Sequence, residues 1–324
     1  MPENRQFLPE GLRPPSTISL SALKDAEQSG AILEGLVSRC DAAHTLTVPL
    51  GTVKGVIPRE EAVAPWISGA ERDIALLSRV GKMAVFQVKA LTSDEKGAPV
   101  ALLSRKAAQE AAMDYFLKTL QPGMLLVCRI THLASFGAFA DIGCGIIAML
   151  PIELISVSRL SHSRERFVQG QKILAVVKDF DRENRRITLS HRELLGTWME
   201  NASRFSPGDT VQGIVRSVKD YGAFVELTPN LSGLAELKEG LEPGERVSVF
   251  IKGIRPERMK IKLQIIERLP PLPQPMPIPY QLTDGPLERW IYSPPGCENN
   301  CNCQASQREM YFHPIREHSG RYHL

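Results

Sequence analysis

The stretch DYGAFVEL, Asp220 to Leu227, sets Phe224 out of step with the apolar residues beside it. Successive side chains of a strand point to opposite faces. Val225 and Leu227 therefore share one face, and Phe224 and Glu226 the other. If the aliphatic pair faces a core, Phe224 stands in solvent beside a carboxylate. The same arrangement occurs in SFGAFADI, Ser135 to Ile142, where Ala140 and Ile142 alternate with Phe139 and Asp141. One exposed aromatic is ordinary surface composition. Two at equivalent places imply a role.

Working outward, GDTVQGIVRSVKDYGAFVEL (Gly208 to Leu227) aligns without a gap on GMLLVCRITHLASFGAFADI (Gly123 to Ile142). Both follow a Pro-Gly turn, and Tyr221 falls on Phe136. A later glycine opens a further strand in each, GQKILAVVKDFD and GERVSVFIKGI, and the copies close on RRITLSHRE and MKIKLQIIE. Short alternating segments punctuated by Gly, Pro and Asn predict about five strands per copy, hence a small all-β barrel. A weaker copy lies upstream in GAILEGLVSRCDAAHTLTVPLGTVKGVIPREE, where Gly35 answers Gly213. With one inserted residue Val48 and Leu50 answer Val225 and Leu227, and Thr47 takes the place of Phe224. Without it Leu46 falls there, so the aromatic is missing in either alignment. VGKMAVFQVKAL and VALLSRK supply this copy's later strands.

Between the copies the sequence turns helical. SLSALKDAEQSG has Ser19 as N-cap and Gly30 as stop. SRKAAQEAAMDYFLKTL spaces Met113, Phe116, Leu117 and Leu120 along one side of an amphipathic helix. HRELLGTWMENASRF is a shorter helical link. LPPLPQPMPIPY predicts an extended segment, and an irregular or disordered chain is expected past about residue 293. The organisation predicted is therefore an N-terminal segment with a short helix (1–29), a degenerate barrel (30–106), a linker helix (107–121), a barrel (122–192), a helical link (193–205), a barrel (206–267) and a Pro-rich irregular tail (268–324).

The 324 residues suffice for two or three domains, and 43% hydrophobic with 23% charged residues is a soluble globular composition. No apolar run is long enough to span a bilayer and the N-terminus lacks the apolar core of a secretory signal, so a cytoplasmic protein without membrane contact is expected. Cys40, Cys128 and Cys144 are isolated and read as reduced thiols. Near the C-terminus Cys297, Cys301 and Cys303 lie with His313, His318 and His323. These are zinc-ligating types, but the spacing is not that of paired Cys-x-x-Cys sites, and no metal or cofactor is expected. The seven histidines are dispersed, and no glycine-rich phosphate cradle or nucleophile elbow is present. An enzyme is not expected; His132 and His191 read as surface groups or neighbours of a bound ligand rather than catalysts.

The two stronger copies resemble the S1 motif, the RNA-binding repeat of the large small-subunit ribosomal protein. The residues that carry the resemblance are the first-strand Gly213, the aromatic-Gly-x-aromatic step, the glycine before strand four, and a closing pattern matched by Asp181, Arg186, Ile187, Leu189 and Ser190. The resemblance covers roughly residues 30 to 267. It implies tandem five-stranded antiparallel barrels of the oligonucleotide-binding (OB) type joined by short helices, with single-stranded RNA crossing strands two and three. It further implies messenger RNA in translation as the ligand and the small ribosomal subunit as a partner. Departures are Glu236 and Pro151 where the family places a histidine, Cys128 for the first-strand glycine, and Arg255 for the aspartate.

Sequence-tolerant binding of a single strand needs flat π-surfaces and cations that track phosphates; each stacked base is worth about 1–3 kcal/mol. The candidate rings are Phe136, Phe139, Tyr221 and Phe224. Members of a pair are three residues apart and nominally on opposite faces, unless the intervening glycine permits a bulge or twist. The candidate polar groups are Asp181, Arg186, Arg216, Lys219, Lys260 and Lys262. The favoured function is non-catalytic binding of single-stranded RNA in translation. The alternatives are an S1-domain regulator of RNA turnover or transcription, and a protein scaffold whose barrels no longer hold RNA.

Overall fold

The computed structural model describes residues 7–14, 18–67, 72–271, 276–295 and 297, and the backbone of 309–311. Helix α1 (Leu20–Ser29) starts at Ser19, whose hydroxyl accepts from the Ala22 amide, and ends on a left-handed Gly30. The first repeat then supplies β1 (Leu33–Leu36), β2 (Arg39–Cys40), β3 (Leu46–Leu50), β4 (Val53–Ile57), helix α2 (Asp73–Leu77), β5 (Met83–Ser93) and β6 (Pro99–Ser104). Its six strands form a sheet in the order β1-β5-β6-β4-β3-β2, not the closed barrel expected from the repeat. The cause is a break in the first strand. β1 pairs with β5 and β2 with β3, while between them the Val37 amide donates to Lys82 O and the Ser38 amide to Thr47 O. The ring order is that of a barrel, with its first strand shared in two pieces between two neighbours.

Helix α3 (Arg105–Thr119) is capped by the Ser104 hydroxyl and buries Met113, Phe116 and, just past its end, Leu120. The second repeat follows as β7 (Leu125–Ala134), β8 (Gly137–Gly143), β9 (Ile146–Pro151), β10 (Lys172–Asp181) and β11 (Arg186–Ser190). After helix α4 (Trp198–Ala202) the third supplies β12 (Thr210–Lys219), β13 (Gly222–Thr228), β14 (Leu231–Ala235), β15 (Arg246–Arg255) and β16 (Lys260–Leu269). Both are closed five-stranded barrels, ordered β10-β11-β9-β8-β7 and β12-β13-β14-β16-β15. Each contains one parallel pair, β9 with β11 and β14 with β16, among antiparallel neighbours. The fold is all-β and of the tandem OB type.

Parity sorts the third barrel as the sequence predicts: Val215, Val225, Val247, Val249, Ile251 and Leu263 are fully buried in one core. The first-strand glycine is needed there because a Cβ on Gly213 would lie 2.5 Å from a Val225 methyl. At the matching pair the second repeat carries Cys128 and Ala140, both fully buried. The larger first-strand residue is matched by a smaller partner on strand two, which explains the departure at Cys128.

The chain divides into two compact units, one of Met1–Leu120 with Val127–Arg129 and Ala140–Ala148, the other of Gln121–Leu126, Ile130–Phe139 and Met149–Leu324. Within the second unit the segment beyond the Pro-rich run packs on the third barrel. Trp290 and Tyr292 are buried in the third barrel's core cluster, Tyr292 Oη donates to Asn230 O (2.5 Å), and Leu287 N donates to Gly123 O (2.8 Å). β17 (Arg289–Ile291) pairs with β18 (Glu309–Tyr311), beyond the point where an irregular chain was expected. Proline-rich backbone lacks donors for a ladder, and the segment after it is held instead by burial of Trp290 and Tyr292 and by the Tyr292 and Leu287 hydrogen bonds. Among the described residues no helix is long and apolar enough to cross a membrane.

Candidate nucleic-acid interface

The aromatic-Gly-x-aromatic step is where β13 begins. A Cβ on Gly222 (φ 151°) would lie 2.5 Å from Ala235 O on β14, and Gly137 is equally crowded by Leu150 O. The glycine lets the neighbouring backbone pass and lets the preceding aromatic swing over. Tyr221 and Phe224 consequently share one side, with centroids 6.2 Å apart and planes at 88°. Phe136 and Phe139 repeat the geometry at 6.0 Å and 84°, the edge-to-face arrangement that ring quadrupoles favour. Tyr221 is 69% exposed and Phe136 55%, with Phe224 and Phe139 half-buried beneath them. A third ring stands on the second barrel: exposed His132 has its centroid 6.1 Å from that of Phe139.

Around Tyr221 and Phe224 the third barrel forms a groove of about 1210 Å³, lined also by Lys219, Lys252, Lys260 and Lys262. All four lysines are exposed. Glu236, at the position of the family's histidine, lies in this groove and pairs with Lys252 at 3.1 Å. The hydrogen bond and charge of Lys252 hold its carboxyl below the usual range.

Four expectations are corrected. Glu226 and Asp141, which parity assigns to the solvent face, are each only 2% exposed. Glu226 is enclosed by Arg166 and Arg216, and Asp141 accepts from the amides of Glu10 (2.8 Å), Gly143 (2.8 Å) and Gly145 (3.0 Å). Arg216 does not face the groove as a free cation. It is a bulge residue, because β12 pairs Val215 with Val225 and then Ser217 with Phe224. The bulge turns its guanidinium onto Glu226 (2.9 and 3.1 Å) and Glu165 (2.5 Å). Asp181 builds a turn: its carboxylate accepts from the backbone and side chain of Asn184 (3.0 and 2.7 Å), closing the hairpin that presents exposed Arg186. His191 is fully buried, with Nδ1 2.9 Å from Ile155 O and Nε2 3.2 Å from the Tyr280 hydroxyl; burial pushes its pKa down to about 4.

The candidate metal ligands Cys301 and Cys303 lie outside the described residues, as do His313, His318 and His323. Cys297 is half-buried, and no cluster able to hold a metal exists among the described residues.

One group of cations was not among the sequence candidates. Strand four carries a bulge at the same lysine in every repeat: Lys89 between Val88 and Ala90, Lys178 between Val177 and Asp179, and Lys252 between Ile251 and Gly253. All three are exposed. Alternation already points each lysine outward, and the aligned VKA, VKD and IKG of the three copies are the signal that could have revealed them.

Paired surface rings beside cations thus recur on two of the tandem OB barrels. Residues 120–192 match the S1 RNA binding domain family, so the second barrel is an S1 domain. The small ribosomal subunit protein bS1 of Staphylococcus aureus (strain COL) is 33% identical to the chain over 185 residues, covering 52% of this chain and 47% of that protein. The bS1 protein of Staphylococcus haemolyticus (strain JCSC1435) is 32% identical over 185 residues with the same coverage. The chain thus spans about half the length of the curated relatives it matches. Among solved structures, a multidomain protein with nucleic acid binding domains from Streptococcus pneumoniae TIGR4 covers 73% of both chains at 14% identity with a TM-score of 0.25, a superposition too loose to bear on the fold.

Proposed function

We propose that this chain binds single-stranded RNA, without catalysis, on the ring pairs and cations of its second and third barrels. It engages messenger RNA during translation as a cytoplasmic ribosomal S1-like factor, with the small ribosomal subunit as partner. The observation that carries this reading is the recurrence of one edge-to-face ring pair, exposed at its tip, at the same step of two separate barrels. Bases stack on such rings irrespective of sequence, and the lysines alongside suit the phosphates. The similarity to bS1 proteins of the small ribosomal subunit supports the ribosomal part. Fluorescence anisotropy with an unstructured oligonucleotide at two salt concentrations tests the binding, with tighter binding at low salt expected. Sedimentation of lysate through sucrose tests the setting: co-migration with small subunits or polysomes supports translation, and its absence favours a regulator of RNA turnover or transcription.

A further inference from the structure

The groove on the third barrel is completed by residues of the second. The loop after β9 is pinned to the β13–β14 hairpin: Val157 N donates to Asn230 Oδ1 (3.0 Å), Ser158 N to Pro229 O (3.1 Å), and the Ser158 and Ser232 hydroxyls meet at 2.9 Å. Behind this loop, the Arg166 guanidinium grips the Glu226 carboxylate at 3.0 and 2.9 Å. Ser232 sits on β14 two residues from Leu234, which is paired with Phe224. Two residues of strand are roughly 7 Å, so the docked loop ends beside the stacking rings. Its next residue, Arg159, is exposed and lines the same groove as Tyr221, Phe224 and Lys260. Among the described residues the Arg159 side chain has no ion pair or hydrogen bond.

We propose that Arg159 is a phosphate-binding residue of the third barrel's RNA site, so that one single strand stacked on Tyr221 and Phe224 continues onto the second barrel. This rests on the RNA-binding reading above and adds to it a footprint that crosses the joint. An arginine suits the place: its guanidinium stays charged and meets a phosphate with a planar fork of donors. The hydrogen-bonded loop holds its backbone, so less freedom is lost when RNA arrives.

The test uses the full chain and a fluorescent uridine oligonucleotide, titrated by anisotropy at several salt concentrations. Each phosphate contact to a single strand contributes about 0.7 to the slope of log affinity against log salt. Arg159→Ala is expected to lower that slope by about 0.7, which is about a fivefold loss of affinity at 0.1 M salt. Arg159→Lys should retain the slope, and the thermal midpoint should be unchanged in both because the side chain is exposed. The proposal is overturned if Arg159→Ala keeps wild-type affinity and slope while Tyr221→Ala weakens binding; in that case the RNA reading stands alone. A loss of affinity with an unaltered slope also overturns it, since no phosphate contact has then been removed. If neither variant changes binding, or the wild-type chain fails to bind, the RNA reading falls and the proposal with it.

Discussion

Arg166 and Glu226, 60 residues apart in the chain, form a two-pronged ion pair between the second and third barrels at 3.0 and 2.9 Å, with side chains 8% and 1% exposed. Arg216 completes the cluster. Charges buried this deeply carry a large desolvation penalty, and their value shows when one partner is removed. Arg166→Ala leaves Glu226 with one cation and is expected to cost about 3–5 kcal/mol, read by urea unfolding. The double variant Arg166→Met with Glu226→Leu should recover part of that loss, because it leaves no unpaired charge between those two positions.

The same carboxylate makes the joint sensitive to acid. Burial alone would raise the pKa of Glu226, but Arg166 and Arg216 override it and hold the group below the ordinary value of 4.5. A group whose folded pKa is depressed contributes stability that is fully present above its unfolded pKa. That stability is lost as pH falls through the folded value. The urea midpoint should therefore decline below about pH 4.5, and Glu226→Gln should flatten this part of the profile. An identical decline in the Gln variant would assign the acid sensitivity to other carboxylates.

The stacking role of the rings has a direct test. Phe139→Ala combined with Phe224→Ala removes one ring of each pair and should weaken binding of unstructured RNA by at least about tenfold, as expected for two lost base stacks. Both residues lie outside the aliphatic cores, so the circular dichroism spectrum should be unchanged. Unchanged affinity in this double variant would reject stacking as the mode of binding.

The sequence exposed the barrels and the rings more clearly than the cations. Parity in DYGAFVEL separates Val225 from Phe224 because the strand is regular there, and the repeat doubles the signal. What parity cannot see is which outward residues a neighbouring element will cover. Glu226 has the pattern of a solvated residue, yet Arg166 from the preceding barrel seals it. A bulge defeats parity at Arg216, turning an outward position onto carboxylates, whereas Lys252 is exposed where parity puts it, beside the rings. Trp290 and Tyr292 were hidden for a different reason, since burial by single aromatics in a Pro-rich chain produces no period to detect.

Lys252 and Glu236 give the last prediction. The pair spans 3.1 Å within the groove, with Glu236 66% exposed and Lys252 31%. On the proposed RNA surface a carboxylate repels phosphates and occupies the cation that the bulge presents there. Glu236→Gln keeps the size and removes the charge, freeing Lys252 for RNA. Affinity at 0.1 M salt should rise by about two- to fivefold and the salt slope should steepen by up to about 0.7, the share of one phosphate contact. Lys252→Ala should produce the opposite change in slope only when Glu236 has already been neutralised, because in the wild-type chain much of that charge is committed to the pair. Equal effects of Lys252→Ala in both backgrounds would show that the lysine reaches RNA without releasing Glu236.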